Sequence, residues 1–278
     1  MQLGIRLHDT VDLPLEERLA NVHKQGFQCA HVALKKVISE YSAENAALTP
    51  GLAMYLKKLF SKNDVDIAVL GCYLNLATPD EKELKQSIET YMANIRFASI
   101  LGCGVVGTET GAPNTEYKTV PECKSEEALQ TFITNLRPIV KYAEKMGVIV
   151  AIEPVVRHIV HSPKVARRVL DTIQSPNLQI ILDPVNLLDM DNYEDRDAII
   201  NEAIELLGKD TAVVHIKDII VGEDDLVSVA AGTGIMNYEN LLRFMKKDKP
   251  YIHATLEDTN PKNAVQARKH IQEIWDNL

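Results

Sequence analysis

The sequence lacks the features that mark secreted, disulfide-stabilised and membrane-spanning proteins. Its four cysteines are far apart and none forms a CxxC pair: Cys29, Cys72, Cys103 and Cys123. Isolated cysteines of this kind are typical of buried thiols in a reducing compartment rather than of a disulfide framework or a zinc site. No stretch approaches the length of a transmembrane helix, and the first residues do not join a basic segment to a long apolar run. We therefore expect a cytoplasmic protein without a signal peptide and without a membrane partner.

Basic surface is also scarce. Lys and Arg number 30 against 39 Asp and Glu, which gives a formal net charge of −9, and no Lys/Arg-rich run stands out. Nucleic acids bind to basic patches, so we expect no nucleic-acid partner. A linker is missing as well, because no segment is rich enough in Pro, Gly or Ser to divide the chain. Its 278 residues are near the usual size of one (β/α)8 barrel, and we expect one domain spanning residues 1–278.

The chain instead shows a regular alternation of strand-like and helix-like segments. The strand-like segments are mostly continuous apolar runs, as in parallel strands covered on both faces. Eight of them are predicted: 2–7, 27–34, 65–72, 104–109, 148–154, 178–184, 212–218 and 251–258. Helix-start signals such as Thr49-Pro50 and Ser162-Pro163 lie between them. Eight βα units with short links predict an α/β fold, the (β/α)8 TIM barrel.

Two longer segments are predicted to be loops over one end of this barrel. They are residues 109–122 and residues 219–236, the second of which contains three glycines. The acidic run formed by Asp218, Asp224 and Asp225 is interpreted as a solvated part of the second loop.

Four polar residues stand where apolar strands end. They are Glu153, Asp183, His215 and Glu257. The carboxyl ends of all strands of a parallel barrel meet at one mouth, where the chemistry of such barrels takes place. Taken singly, each residue is more often a helix cap, a loop ion pair or a buried structural histidine. Together they form a ligand set of carboxylate oxygens and one imidazole that suits a single divalent cation.

The segments that carry these residues resemble those of the xylose-isomerase-like (AP endonuclease family 2) superfamily, which contains sugar phosphate isomerases and epimerases. The resemblance rests on IEP at Glu153, LDPVN at Asp183, HIKD at His215, LED at Glu257, and the GTGIMNY segment 232–238. It implies that Glu153, Asp183, His215 and Glu257 bind one divalent metal ion, which could be Mn, Mg, Co or Zn. It also implies that Glu153 and Glu257 are catalytic and transfer protons.

The implied activity is isomerisation or epimerisation of a keto sugar, a sugar phosphate or a polyol. Such a reaction removes a carbon-bound proton next to a carbonyl, and a divalent cation stabilises the resulting enediolate by several kcal/mol. A positioned carboxylate that takes or returns the proton typically adds roughly 10²–10⁴-fold. The expected partner is therefore a small-molecule sugar substrate. By analogy with relatives, a homodimer is also expected.

Further polar residues near the strand ends are candidates for binding this substrate. They are Arg157, His158, His161, Asn186, Lys217, Glu109 and His8. For Lys217 a solvated surface lysine is an equal alternative. Two positions depart from the superfamily pattern. Ile159 stands where the 3-epimerases tend to carry a second Glu, and Asn186 stands where many relatives have a His that could bind metal.

Three alternatives remain open at the level of sequence. The same metal and base would serve a dehydratase of the inosose or dehydroshikimate type, which expels a hydroxyl group. A phosphodiesterase acting on abasic DNA would need additional His and Asp ligands and a surface that tolerates phosphate, and the net charge of −9 opposes it. A subunit that only binds a ligand would keep its activity after Glu153→Gln.

Overall fold

The structure is a computed structural model that describes residues 1–278, and eight of its strands are parallel and close into a barrel. The barrel strands are β1 (Gln2–Arg6), β2 (Cys29–Val32), β3 (Asp66–Gly71), β4 (Val105–Thr108), β5 (Ile149–Ile152), β6 (Leu178–Leu182), β7 (Thr211–Ile216) and β10 (His253–Leu256). Each strand pairs with its sequence neighbour in the barrel, and β1 closes the ring against β10. The predicted (β/α)8 TIM barrel is confirmed.

Helices surround the barrel and cover its outer face. They are α1 (Leu15–Lys24), α2 (Leu34–Val37), α3 (Pro50–Lys62), α4 (Glu81–Leu101), α5 (Glu126–Met146), α6 (Pro163–Ile173), α7 (Arg196–Leu207), α8 (Glu239–Asp248) and α9 (Ala264–Asn277). Their ends follow local chemistry. The Ser125 hydroxyl accepts the backbone N–H of Ala128 at the start of α5, and Gly147 takes a left-handed conformation after its end. None of the helices combines the length and apolar character that a bilayer crossing requires.

The inside of the barrel contains a layer of buried aliphatic side chains. This inner layer consists of Val69, Val105, Ala151, Ile181 and Val213. Gly107 lies against it, and a Cβ atom at that position would come within 2.7 Å of Val69 and Ile181. The layer closes the barrel and forms a floor beneath its carboxyl-terminal mouth.

The segment predicted as a loop at 219–236 contains a β-hairpin, so that prediction was wrong for its first half. Strands β8 (Asp218–Val221) and β9 (Leu226–Val229) pair antiparallel around a turn closed by the Gly222 N–H donating to the Asp225 carbonyl. The physical reason is the β-branched runs IIV and LVSV on either side of a polar turn, which favour paired strands.

Asp218 also differs from its prediction as part of a solvated acidic run. Its carboxylate is buried and accepts backbone N–H groups from Ile219, Gly232 and Met236. Gly234 permits this close packing, since a Cβ there would lie 2.4 Å from Asp218 Oδ1 and 2.1 Å from the Ile219 carbonyl oxygen. Asp218 therefore ties the hairpin to the segment before α8.

Candidate active site

The period of two along each strand explains how side chains reach the mouth. Ala151, Ile181 and Val213 point into the apolar inner layer, so the residue two positions later in each strand points the same way but one level higher. Those residues are Glu153, Asp183 and His215, and all are buried. Glu257, directly after β10, lies two positions after Thr255 and therefore points to the same side as Thr255. The four predicted residues therefore stand together on top of the apolar floor.

The distances between these four side chains place them in one cluster. His215 Nδ1 lies 3.2 Å from Glu153 Oε1 and 3.4 Å from Glu257 Oε1. Ligand atoms of Glu153, Asp183 and His215 all lie within 4.8 Å of one another. Asp183 Oδ1 accepts the backbone N–H of Val185 at 2.9 Å, which fixes the rotation of its carboxylate.

Burial and mutual charge set the protonation of the cluster. Burial opposes the charge on His215, but Glu257 and Glu153 outweigh it and raise the pKa of His215 to about 9. Burial would raise the pKa of Glu257, yet His215 and Lys217 hold that pKa well below its ordinary value. Burial raises the pKa of Asp183 to about 6, a shift that Lys217 opposes. Glu257 is therefore ionised at neutral pH, beside cationic neighbours.

Lys217 belongs to this cluster and is not a solvated surface lysine. It follows His215 by two residues, points to the same side and is 6% exposed. Its Nζ lies 2.9 Å from Asp183 Oδ2 and 3.4 Å from Glu257 Oε2. Burial opposes its charge, but Asp183 and Glu257 raise the pKa of Lys217 above its ordinary value. A permanent positive charge therefore stands among the buried carboxylates.

The donor atoms present fit a divalent cation. Three carboxylates and one imidazole match the preferences of Mn²⁺, Co²⁺ and Zn²⁺, and Mg²⁺ accepts the oxygens. Asp183 Oδ2 is buried without an aligned hydrogen bond, although Lys217 Nζ is near it. A buried polar atom left unpaired is costly, and a bound cation is one way to pair it.

A cavity of about 550 Å³ opens above the cluster, within the size range of small-molecule sites. Seven of the predicted site residues line it: His8, Glu109, Glu153, His158, Asn186, Lys217 and Glu257. Asp183 and His215 lie deeper and are fully buried. The cavity extends from the cluster over the ends of β1, β2 and β3, where Lys35, Lys36 and Asn45 form its far wall.

Two predicted substrate-binding residues are not brought to this cavity. Arg157 is directed toward the hairpin, where its guanidinium pairs with Asp225 at the surface. His161 Nδ1 lies 3.1 Å from the carbonyl oxygen of Ile159, in the same loop. Both follow strand β5 closely in sequence, but the loop turns them away from the mouth.

Asn186 and Glu109 make contacts that define the wall near β4, β5 and β6. The Asn186 amide donates to Glu153 Oε1 at 2.7 Å and so orients that glutamate. Glu109 Oε2 accepts the Tyr117 hydroxyl at 3.3 Å and lies 3.7 Å from His158 Nδ1. Burial raises the pKa of Glu109 and lowers the pKa of His158 to about 4. A carboxyl group with a raised pKa and a neutral imidazole therefore face each other there.

Three further residues of the site, on or just after the first three strands, were not predicted from the sequence. Arg6 contacts Glu257 Oε2 at 3.3 Å and Asp258 Oδ1 at 2.6 Å. His31 Nδ1 lies 3.3 Å from Glu257 Oε1, and the Tyr73 hydroxyl is 3.1 Å from His31 Nε2. One signal for His31 was available, because it is the single polar residue inside the otherwise apolar strand CAHV.

The sequence model of the family described as xylose isomerase-like TIM barrel matches residues 19–274. A search of curated protein sequences found no match.

Solved structures with similar folds include a D-tagatose 3-epimerase-like protein, which is 20% identical in sequence with a TM-score of 0.77. The match covers 100% of this chain and 98% of that protein's chain. The IolI protein with a bound zinc atom is 19% identical with a TM-score of 0.75, covering 100% and 99%. The probable 3-DHS dehydratase AsbF from Bacillus anthracis is 15% identical with a TM-score of 0.75, covering 98% and 99%. At these identities the likeness shows the fold alone.

Proposed function

The chain belongs to the xylose isomerase-like TIM barrel family, and on that basis we propose that it is a divalent-metal-dependent isomerase or epimerase of a keto sugar, sugar phosphate or polyol. The observation that carries the proposal is the convergence of Glu153, Asp183, His215 and Glu257 above the apolar floor, with His215 Nδ1 3.2 and 3.4 Å from the two glutamates. Neighbours in fold include an epimerase-like protein and a zinc-bound protein, which supports this choice of class.

We propose that these four residues hold one divalent cation. When bound, the cation supplies a Lewis acid that polarises a substrate carbonyl and stabilises negative charge on its oxygen. The cation needs deprotonated ligands, and the low pKa of Glu257 keeps that carboxylate ionised. His215 must lose the proton that its raised pKa retains in the metal-free protein.

Glu153 and Glu257 are proposed to exchange the carbon-bound proton through an enediolate. They approach His215 Nδ1 from two different strands, β5 and β10, so a substrate carbon placed between them would present one face to each. The Asn186 amide occupies Glu153 Oε1, which leaves Oε2 free to take a proton. A second carboxylate that returns the proton to the opposite face would complete an epimerisation.

Substrate hydroxyl or acidic groups are proposed to be bound by the predicted residues that line the cavity: His8, Glu109, His158, Asn186 and Lys217. Lys217 can donate to a substrate oxygen in the region where it now contacts Asp183. Arg157 and His161 are left out of this proposal because they lie outside the cavity.

Metal removal and proton exchange test this function together. The protein is treated with a chelator, supplied again with Mn²⁺, Co²⁺, Zn²⁺ or Mg²⁺, and incubated with a panel of ketoses and their phosphates in D₂O. We expect deuterium at the carbon next to the carbonyl only after metal is restored. Full activity of the metal-free protein, or the absence of exchange with every metal that binds, would contradict the proposal.

A dehydratase is a second candidate, favoured by one specific observation. Glu109 lines the same cavity, and burial raises its pKa, so Glu109 is a better proton donor to a departing substrate hydroxyl than an ordinary ionised glutamate. One of the similar folds is described as a probable dehydratase. Products with a new conjugated double bond, detected by ultraviolet absorbance, would favour this reaction over isomerisation.

The cellular location and the oligomeric state of the protein are also proposals. All four cysteines are buried and none is paired with another, which is typical of proteins from a reducing compartment, and we propose a cytoplasmic location. The homodimer expected by analogy stays a prediction, which light scattering after size-exclusion chromatography would test.

A further inference from the structure

One more side chain able to bind metal faces the cluster, and the four-ligand hypothesis does not use it. His31 comes from β2, on the side of the barrel opposite β6, and is 1% exposed. Its ligand atom groups with those of His215 and Glu257, all within 4.8 Å of one another. We infer that His31 is a fifth protein ligand, so that the centre contains two imidazoles and three carboxylates. This inference rests on the metal site of the proposed function.

The spacing of donor atoms supports a shared cation better than a set of hydrogen bonds. Glu257 Oε1 lies 3.3 Å from His31 Nδ1 and 3.4 Å from His215 Nδ1. Both distances exceed the usual N–H···O range of roughly 2.7–3.2 Å. With metal–ligand distances of roughly 2.0–2.2 Å, adjacent donors on one ion lie roughly 3–3.5 Å apart. The observed separations therefore match the edges of a coordination shell.

The two imidazoles are oriented alike. The rings of His31 and His215 are close to parallel, with an interplanar angle of 13° and centroids 5.2 Å apart. Each ring directs Nδ1 toward the same oxygen of Glu257. His31 Nδ1 is buried and forms no aligned hydrogen bond, so no hydrogen-bond donor of the protein occupies its lone pair.

Tyr73 supplies the outer support that a metal-binding histidine normally has. Its hydroxyl lies 3.1 Å from His31 Nε2, the ring nitrogen on the far side from Glu257. When Nε2–H donates to the Tyr73 oxygen, the proton is kept on Nε2, and Nδ1 carries the lone pair that a cation needs. Tyr73 thus acts as a positioning residue that selects the tautomer of His31.

A second imidazole changes which ion the site prefers. Mg²⁺ favours oxygen ligands and water, whereas Zn²⁺, Co²⁺ and Mn²⁺ accept two nitrogens together with carboxylates. Of the four candidate ions, Mn²⁺, Co²⁺ and Zn²⁺ therefore fit the site better than Mg²⁺. Millimolar Mg²⁺ should fail to displace Co²⁺ from the wild-type site.

The test measures Co²⁺ binding to the full-length protein by competition with a chromophoric chelator. Two substitutions separate the roles of His31. His31→Phe keeps an aromatic ring but removes both nitrogens, and His31→Gln keeps an N–H that could donate to Glu257 while providing a poor ligand. We expect both variants to bind Co²⁺ at least about 100-fold more weakly than wild type. Losing a residue that only hydrogen-bonds a metal ligand typically weakens metal binding by roughly 10–100-fold. Tyr73→Phe should cost about 10-fold.

Matched controls are His253→Phe and His253→Gln, because His253 lies at the opposite end of the barrel on β10. They should bind Co²⁺ like the wild type. Proton NMR of the Co²⁺ protein gives an independent count, since each ligated imidazole contributes one strongly shifted, exchangeable N–H signal. Wild type should show two such signals and His31→Gln one. Circular dichroism of the metal-free variants verifies that they fold.

The outcomes separate this inference from the function on which it rests. If wild-type protein binds no Co²⁺, the metal site itself is wrong. If wild type binds Co²⁺ with one shifted N–H signal, or if His31→Gln binds as tightly as wild type, then His31 is not a ligand while the four-residue site stands. Should His31→Phe fail to fold, the signal count in wild type and the affinity of His31→Gln still decide.

Discussion

The two halves of the barrel contribute different chemistry to one mouth. Strands β5, β6 and β7 each place one metal-competent residue above the apolar floor, and two of these are acidic. The first three strands and their ends supply the cationic Arg6 and the hydrogen-bonded pair of His31 and Tyr73. Glu257, directly after β10, lies where the halves meet, and its two oxygens contact His31 from one half and Lys217 from the other. The acidic half supplies most of the atoms that could hold a cation, and the other half adds the imidazole of His31 and the positive charge of Arg6 beside the shared glutamate.

This comparison is tested most strongly by removing a carboxylate from the acidic half. Glu153→Gln keeps the shape of the side chain but removes both its charge and its capacity to accept a proton. We expect kcat/KM to fall by roughly 10²–10⁴-fold. Glu126→Gln, on the exposed side of α5, is the matched control and should retain activity. Comparable rates for Glu153→Gln and the control would remove Glu153 from the mechanism.

The second test concerns the charge balance within the cluster. Lys217→Met removes the cation nearest to the buried Asp183 and one of the cationic neighbours of Glu257, which keeps Arg6 and His215. The free energy of unfolding of the metal-free protein should therefore drop by about 3–5 kcal/mol. Lys35→Met removes an exposed ion pair with Glu44 and should cost about 0–1 kcal/mol. Urea denaturation measures both.

Adding Mn²⁺ should shrink the loss for Lys217→Met, because the cation then neutralises the same carboxylates. An equal loss with and without Mn²⁺ would indicate that Lys217 and the metal do not share partners.

The third test follows the protons that a cation must displace. The pKa of His215 is raised to about 9 and that of Asp183 to about 6, so both groups bind a proton below those values and compete with metal. Affinity for Co²⁺ should therefore rise with pH. Between about pH 6 and 9 it should change by about tenfold per unit, because one proton leaves His215, and more steeply below pH 6. Calorimetry in buffers of different ionisation enthalpy counts the protons, and a flat profile would contradict the assignment.

The smallest effect is expected outside the mouth. Arg157 follows Glu153 by four residues and was predicted to bind substrate, but its guanidinium pairs with Asp225 of the hairpin at the surface. Arg157→Met should change stability by about 0–1 kcal/mol and leave KM within experimental error. A large rise in KM would mean that the loop after β5 moves over the cavity when substrate binds.

The acidic half was predictable because its signal is local. Each ligand of β5, β6 and β7 follows an apolar run directly, and the common direction of parallel strands implies that the ends meet. His31 carried a weaker signal, because it belongs to none of the motifs that carry the family resemblance and is marked only as a single polar residue in the strand CAHV. Arg6 carried almost none, because its role depends on β1 lying next to β10, which are the first and last strands of the chain.

Residues after the strand ends were the least predictable. His158 and His161 both follow β5 within ten positions, yet the loop brings only His158 to the cavity. Lys217 was ambiguous because its spacing to His215 gives its direction but not its depth. The hairpin was not predicted, because the three glycines of 219–236 favour a loop while the β-branched runs on either side of the turn favour strands.

By itself, the sequence determined the barrel, its order of strands and helices, and the carboxylates and imidazole at successive strand ends, because hydrophobic period and strand termination are properties of neighbouring residues. Only the tertiary structure decided that Lys217 neutralises this cluster, that Arg6 and His31 share Glu257 with it, and that Arg157 does not face the cavity. Those relations depend on ring closure and on the path of loops, where contacting atoms belong to residues as far apart as 6 and 257.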